Sequence, residues 1–251
     1  MAMSVGQLVE RVRRGRVPLA SNEAHFAFIS LEDADGCEGV LDEEERHCAG
    51  RFRFDRDRRR YVTSHTALRW FLAGYLDAEP AGLSLEIGPQ GKPSVAAATA
   101  RGLEFNMSHT DGLAALLAAR GRSVGIDLER VRTMPDALEI AERYFSGAEV
   151  EQLRAVPLPH RSEAFFNCWT RKEAFIKAVG EGLQYPLASF EVSLQPGEPG
   201  RLVRLGAVSG DQCAFRLVDL PAPKGYVAAG AVRDAEIAIE RWVDLEHCGA
   251  R

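Results

Sequence analysis

Hydrophobic and polar positions along the chain follow two periods, and each change of period marks a new element. Ser4 with Gln7 has the form of a capping box opening a short helix over 5–14. An apolar run predicts a first strand over 25–31, followed by an acidic turn and a helix near 41–51. Ala67, Leu68, Phe71, Leu72 and Leu76 recur at spacings of three and four, which predicts a second helix over 59–76 that stops before Pro80. From 83 to 129 strands are expected, at 83–87, 103–108, 113–119 and 123–129, with a turn-rich loop over 88–93. Asp111-Gly112 is a hairpin signal, and residues 120–122 around Gly121 are a second. If these last three strands form a meander, His109 lies at the same end as Asp127 and Glu129. Helices follow at 135–144, 147–156 and 161–179, the last ended by Gly180 and Gly182. The remainder predicts strands at 190–194, 201–205, 214–218, 226–232 and 237–243. Both halves therefore contain helices and a small sheet, a mixed α/β chain. There is no clean residue-level repeat, so any internal duplication is structural, and the alanine-rich stretch 95–100 is expected to be a surface loop.

The chain has 251 residues, enough for one large domain or two of about 120 each. Its 46% hydrophobic and 27% charged residues are ordinary for a soluble globular protein. A net charge of −5 argues against non-specific nucleic-acid binding by the protein as a whole. The five cysteines at 37, 48, 168, 213 and 248 show no Cys-x-x-Cys spacing, which points to reduced thiols and a cytoplasmic protein. No signal-peptide pattern opens the chain, and no apolar run approaches the roughly 20 residues needed to span a bilayer, so no membrane partner is expected.

Two segments carry most of the chemistry. In Gly125-Ile126-Asp127-Leu128-Glu129 the i, i+2 carboxylates point to one side of a strand, about 6 to 7 Å apart. In Trp169-Thr-Arg-Lys172-Glu173-Ala-Phe-Ile-Lys177, Trp169, Glu173 and Lys177 share one helical face that passes from apolar to charged. Three carboxylates converging from two elements make a hard-cation site that leaves positions for water and phosphate oxygens. Each piece alone has a blander reading, as a half-solvated strand face or a surface i, i+4 pair, but Trp169 on the same stripe argues against full solvation. Ser108-His109 at a hairpin end could donate to a phosphate oxygen or simply be turn residues. Gly91-Lys92-Pro93 could hold a lysine against a phosphate or be an ordinary turn. The run from Arg51 to Arg60 holds six arginines against two aspartates, either a solvated stretch or a flank for a phosphate or an acidic partner. Neither a Ser-His-Asp set nor a tetrahedral zinc set is apparent.

The 125–129 and 169–177 segments resemble the paired signatures of phosphopantetheinyl transferases, and Gly91-Lys92-Pro93 and Phe105-Asn-Met-Ser108-His109 are similar to two upstream motifs of that family, in the expected order. The match runs from about Arg46 to Gly182, and the chain length resembles the longer, surfactin-synthetase-activating subgroup rather than the short trimeric acyl-carrier-protein synthases. The resemblance implies two similar α/β halves in one chain, a pseudo-dimer with a small antiparallel sheet and helices in each half and the active site between them. The halves are expected at 1–120, carrying the coenzyme A motifs, and 121–251, carrying the metal and catalytic motifs. It further implies transfer of the phosphopantetheine arm of coenzyme A to a serine of an apo acyl or peptidyl carrier protein, releasing 3',5'-ADP, by a monomeric magnesium enzyme. Asp127, Glu129 and Glu173 would hold magnesium, Glu173 would also deprotonate the carrier serine, directly or through water, and Lys177, assisted by Lys172, would neutralise charge on the phosphate. Arg46, Arg60, Lys92, Ser108, His109 and Lys172 would be the coenzyme A contacts, with Arg60 near the 3'-phosphate and Arg46, or in its place Arg51 or Arg53, beside it. A metal-dependent phosphohydrolase using the same carboxylates and a non-catalytic binding protein for coenzyme A or carrier proteins are the alternatives.

Overall fold

The computed structural model describes residues 2–33, 36–88, 91–96, 102–182, 185–205 and 215–242. The chain begins with α1 (Val5–Arg13), whose capping box is formed as expected, Ser4 accepting from the Gln7 amide and Gln7 Oε1 from the Ser4 amide. Strand β1 (Glu23–Ser30) follows, then α2 (Glu43–Gly50) and the 22-residue α3 (Asp55–Leu76). Helix α3 starts four residues earlier than its apolar pattern predicts, because its first turn is built from charged residues, so Arg56 to Arg60 are helical. The hairpin β2 (Leu85–Ile87) and β3 (Pro93–Val95) comes next, β3 falling where only a loop was expected. Then come β4 (Leu103–Thr110) and β5 (Leu113–Arg120), joined through Asp111 and Gly112, both at positive φ as the tight hairpin turn requires.

The second half runs β6 (Val124–Arg130), α4 (Ala137–Tyr144), α5 (Gly147–Ala155), α6 (Leu158–Val179), β7 (Phe190–Val192), β8 (Leu202–Leu205), β9 (Arg216–Leu220), β10 (Tyr226–Val232) and β11 (Ala238–Arg241). Residues 89–90 of the loop expected at 88–93, residues 97–100 of the alanine-rich stretch, residue 214 of the strand expected at 214–218 and residue 243 of that at 237–243 lie outside the described residues, as do Cys213 and Cys248.

The two halves repeat one topology. The first sheet contains the order β1-β5-β4 and the second the order β6-β10-β9, every pair antiparallel. In each half a strand leads through a short capped helix to a 22-residue helix, then a 3-10 turn, a small hairpin and a strand pair. A buried clasp repeats with them. In α3, Arg69 donates to Glu45 at 2.6 Å and to the carbonyls of Pro80 and Leu83. In α6, Lys172 pairs with Glu149 at 2.8 Å and donates to the carbonyls of Leu187 and Phe190. Glu45 and Glu149 are both third-position residues of capping boxes, with Asp42 and Ser146 as N-caps. Arg69 and Lys172 each stand 14 residues after the first residue of their helix. Both long helices end on a left-handed residue, Asp77 and Gly180.

Three apolar clusters define the layers, helix, sheet, sheet and helix. Ala114, Leu116 and Ala118 of β5 face α3, whereas Leu113, Ala115, Leu117 and Ala119 face a core shared with Ile126, Leu128 and Ala228 of the second sheet. Ala229 and Ala231 of β10 face α6. Strand β5 is thus covered on both sides, which explains its continuous apolar run. Strand β11 breaks the repeat by pairing parallel to β1, adding the end of the described chain to the first sheet. The expected three-stranded meander is corrected: β6 does not pair with β5 but crosses into the second sheet beside β10. It nevertheless lies against β4, where the Ile126 amide donates to Asn106 Oδ1 at 2.9 Å.

Candidate active site

The contact between β4 and β6 brings Ser108 and His109 to the same end of the molecule as Asp127 and Glu129. Helix α6 lies across β6, and the close approach depends on Gly125. A Cβ there would fall 2.2 Å from the Ala174 carbonyl oxygen and 2.3 Å from the Ala178 nitrogen. This approach places Lys177, one turn after Glu173, over Asp127.

Asp127 is 5% exposed. Its Oδ1 accepts from Lys177 Nζ at 2.7 Å and from Ser108 Oγ at 3.0 Å, while Lys177 Nζ stands 3.3 Å from Ser108 Oγ. Its other oxygen, Oδ2, is buried with no partner, and so is Oε1 of Glu173. The carboxylates sense one another. Glu129 is pushed up to about 7, first by burial and then by the Asp127 charge. Burial and then Asp127 likewise raise Glu173 above the ordinary carboxylate range. Among the described residues, however, no three histidine, cysteine, aspartate or glutamate side chains close into a metal cluster. Asp127 is still near enough to raise both glutamates. Its own Oδ2 and Glu173 Oε1 are left without partners beside the Lys177 ammonium, an arrangement that a cation and a polyanion would relieve.

The other sequence-predicted residues are spread more widely. His109 lines a cavity with His65, where desolvation, then the His65 and Lys177 charges, lower its pKa. Lys92 reaches the floor, donating to the carbonyl oxygens of Val124 at 2.9 Å and Lys177 at 3.4 Å, and burial lowers its pKa. Arg60, in the second turn of α3, pairs with Glu32 at 2.5 Å. Arg46 is exposed on α2 and donates to the Leu41 carbonyl. The coenzyme A contact expected at Lys172 is corrected. That side chain is completely buried against Glu149, and its ammonium is engaged there and on two backbone carbonyls inside the second half rather than at the cleft. A wholly buried ammonium needs such partners, which leaves it none to offer a substrate.

Sequence reasoning missed the cavity beside these groups, about 280 Å³ in volume, whose lining includes Tyr61, His65, Leu85, Pro93, Met107 and His109. Tyr61 and His65 stack at 4.0 Å between ring centroids. Their i, i+4 spacing on α3 was the available signal.

Fold and site together define a two-half α/β protein with an acidic cluster and one ammonium where β4 meets β6. The profile of the 4'-phosphopantetheinyl transferase superfamily matches residues 123–231, and that of the 4'-phosphopantetheinyl transferase N-terminal region matches residues 32–121. The 4'-phosphopantetheinyl transferase HetI of Nostoc sp. is 36% identical over 219 residues, covering 85% of this chain and 89% of that protein. The 4'-phosphopantetheinyl transferase Sfp of Bacillus subtilis is 30% identical over 173 residues, covering 69% and 70%. The chain belongs to the 4'-phosphopantetheinyl transferase superfamily. Among solved structures, the Chronobacterium ammoniagenes ACPS-CoA complex is a remote likeness, 22% identical with a TM-score of 0.34, covering 44% of this chain and 95% of that one.

Proposed function

We propose that the protein transfers the 4'-phosphopantetheine moiety of coenzyme A to a serine of an apo acyl or peptidyl carrier protein, forming holo carrier and 3',5'-ADP. The carrying observation is the cluster at the β4–β6 contact, where Asp127, Lys177 and Ser108 meet and both Asp127 Oδ2 and Glu173 Oε1 are left unpartnered.

The donor set fits magnesium, since a hard cation takes carboxylate oxygens and relieves both the orphaned atoms and the mutual repulsion. Asp127, Glu129 and Glu173 would hold it, and it would supply charge neutralisation at the pyrophosphate. The protein's own groups do the rest. Glu173, raised in pKa by burial and Asp127, accepts the proton of the carrier serine, whose oxygen forms a bond to the pantetheine-side phosphorus. The bond from that phosphorus to the bridging oxygen breaks, and 3',5'-ADP leaves with the electron pair. Lys177 offers its ammonium to the charge that builds on the transferring phosphate, and Ser108 and His109 hydrogen-bond the phosphate oxygens. Arg60 would meet the 3'-phosphate, helped by Arg46 or in its place Arg51 or Arg53, and the cavity by Tyr61 and His65 would accept the nucleoside.

In this proposal residues 1–120 and 121–251 are the two halves, the enzyme is a magnesium-dependent cytoplasmic monomer, and its partners are carrier proteins. Among the described residues no helix is long and apolar enough to cross a membrane. The test is intact-mass spectrometry of an apo carrier protein after incubation with the enzyme, coenzyme A and magnesium, beside Glu173→Ala. A gain of one phosphopantetheine that the variant lacks is expected. Cleavage of coenzyme A without carrier modification would instead establish a hydrolase, and intact coenzyme A across several carrier types would overturn the proposal.

A further inference from the structure

Beside the turn that follows β4, the charge that Arg60 would offer a phosphate is already taken. Strand β1 ends at Ser30 opposite Leu113, the first residue of β5, so Glu32 comes to rest beside the Asp111-Gly112 turn that follows β4. The Leu31 amide donates to the Gly112 carbonyl at 2.8 Å and fixes this placement. The Glu32 carboxylate then seats on Gly112 itself, its Oε1 lying 2.0 Å from where a Cβ would stand. Gly112, at φ 84°, thus provides both the turn and the space for this carboxylate. From that seat Glu32 Oε1 accepts from Arg60 Nη2 at 2.5 Å.

Two further facts mark this pair as exchangeable rather than structural. Glu32 is 62% exposed while Arg60 is 23% exposed, so the arginine is the more firmly held of the two and the carboxylate can swing away. Arg60 also keeps its Nε buried with no partner, leaving one edge of the guanidinium with an unused donor. A carboxylate that takes one donor at this edge leaves a fork that a phosphate, with three oxygens, can fill more completely.

We propose that Glu32 is a specificity-determining residue that competes internally for the anion subsite of Arg60, so that a 3'-phosphorylated nucleotide must displace it in order to bind. This rests on the proposal that Arg60 meets the 3'-phosphate of coenzyme A. A ligand without that phosphate leaves the Glu32–Arg60 pair in place and loses nothing by it. Glu32 therefore compresses the difference in affinity between coenzyme A and dephospho-coenzyme A, and it moderates retention of the 3',5'-ADP product, which carries the same phosphate.

The experiment is titration calorimetry of coenzyme A and dephospho-coenzyme A against the wild type, Glu32→Gln, Arg60→Ala and the double variant. Glu32→Gln should bind coenzyme A about three- to fivefold more tightly, the scale of an exposed ion pair, with dephospho-coenzyme A unchanged. The gain should shrink in high salt and vanish in the Arg60→Ala background. A wild-type ratio of the two affinities in Glu32→Gln, while Arg60→Ala still weakens coenzyme A selectively, overturns the competitor role alone. Equal losses of both ligands in Arg60→Ala overturn instead the 3'-phosphate assignment on which it rests.

Discussion

Replacing Lys172 by methionine separates a residue that holds the fold from one that handles substrate, although it is adjacent in sequence to Glu173. Lys172 and Glu149 are both wholly buried, 2.8 Å apart. The Glu149 carboxylate also accepts from the Ser146 and Val192 amides, and the lysine ammonium donates to the Leu187 and Phe190 carbonyls. Removing the ammonium leaves a buried carboxylate without its counter-charge and two carbonyls without a donor. Breaking a buried pair in this way costs about 3–5 kcal/mol, against a typical total stability of about 5–15 kcal/mol. Lys172→Met should therefore lower the urea midpoint sharply, while the folded fraction, assayed in the cold, keeps its KM for coenzyme A within about twofold of wild type. Changing Glu149 to glutamine in the same chain should recover much of the loss, because no uncompensated charge then remains. Arg69→Met, the corresponding change in the first half, should cost a comparable amount. A Lys172→Met protein with wild-type stability and weakened coenzyme A binding would refute the structural role and return Lys172 to the substrate.

Gly125→Ala forces a methyl group to within 2.2 Å of the Ala174 carbonyl oxygen, so it should cost about 3 kcal/mol or more and shift Lys177 away from Asp127; an unchanged thermal midpoint would contradict the close packing of α6 on β6. Asp127→Asn keeps the size of the side chain but removes the charge that Lys177 faces, so single-turnover carrier modification should fall by about two orders of magnitude in a protein with native circular dichroism, and wild-type rates would end the assignment. His25 is buried and its pKa is lowered from 6.5 to about 4, chiefly by desolvation, so the folded state resists protonation that the unfolded chain accepts. Its contribution is intact above about pH 6.5 and is lost as pH falls toward 4, a change of about 3 kcal/mol. The difference between wild-type and His25→Asn stability should shrink over that range, and a constant difference from about pH 7 to about pH 4.5 would disprove it.

How far the sequence reaches is seen in particular residues. The capping box at Ser4 and the turn at Asp111-Gly112 were legible because each is a local device. The same holds for the αL stop at Gly180 and the side-by-side placement of Asp127 and Glu129 on β6. The destination of β6 was not legible, since its partner β10 comes far later in the chain and a turn at 120–122 records a reversal but not a sheet. Lys172 was misplaced for a related reason. Helix α6 is buried on most of its circumference, so a charged residue beside Glu173 could face the cleft or the interior, and only Glu149, on another helix, decides between them. The Tyr61–His65 wall was visible as a spacing but had no meaning until β4 was placed opposite it.

The repeated topology also shows how the two long helices differ where α6 carries Glu173 and Lys177. Counting from the first residue of each long helix, Glu173 and Lys177 of α6 correspond to Trp70 and Gly74 of α3. The carboxylate and the ammonium of one helix are thus an indole and a bare backbone in the other. Gly74 is not free space: a Cβ there would meet Val12 at 3.2 Å, Val17 at 3.5 Å and Trp242 at 3.6 Å. Helix α1 and the residue after β11 lie against this face, and Arg13 stands 5.6 Å over the Trp70 ring. The first half therefore covers, with chain from before β1 and after β11, the face that in the second half carries Glu173 and Lys177. The buried clasps, Arg69 on Glu45 and Lys172 on Glu149, survive in both because they hold helix to turn wherever the helix lies. The repeat fixes the frame, and in the proposed mechanism two positions of α6, set against β6, join Ser108 and His109 of the first half to form the site.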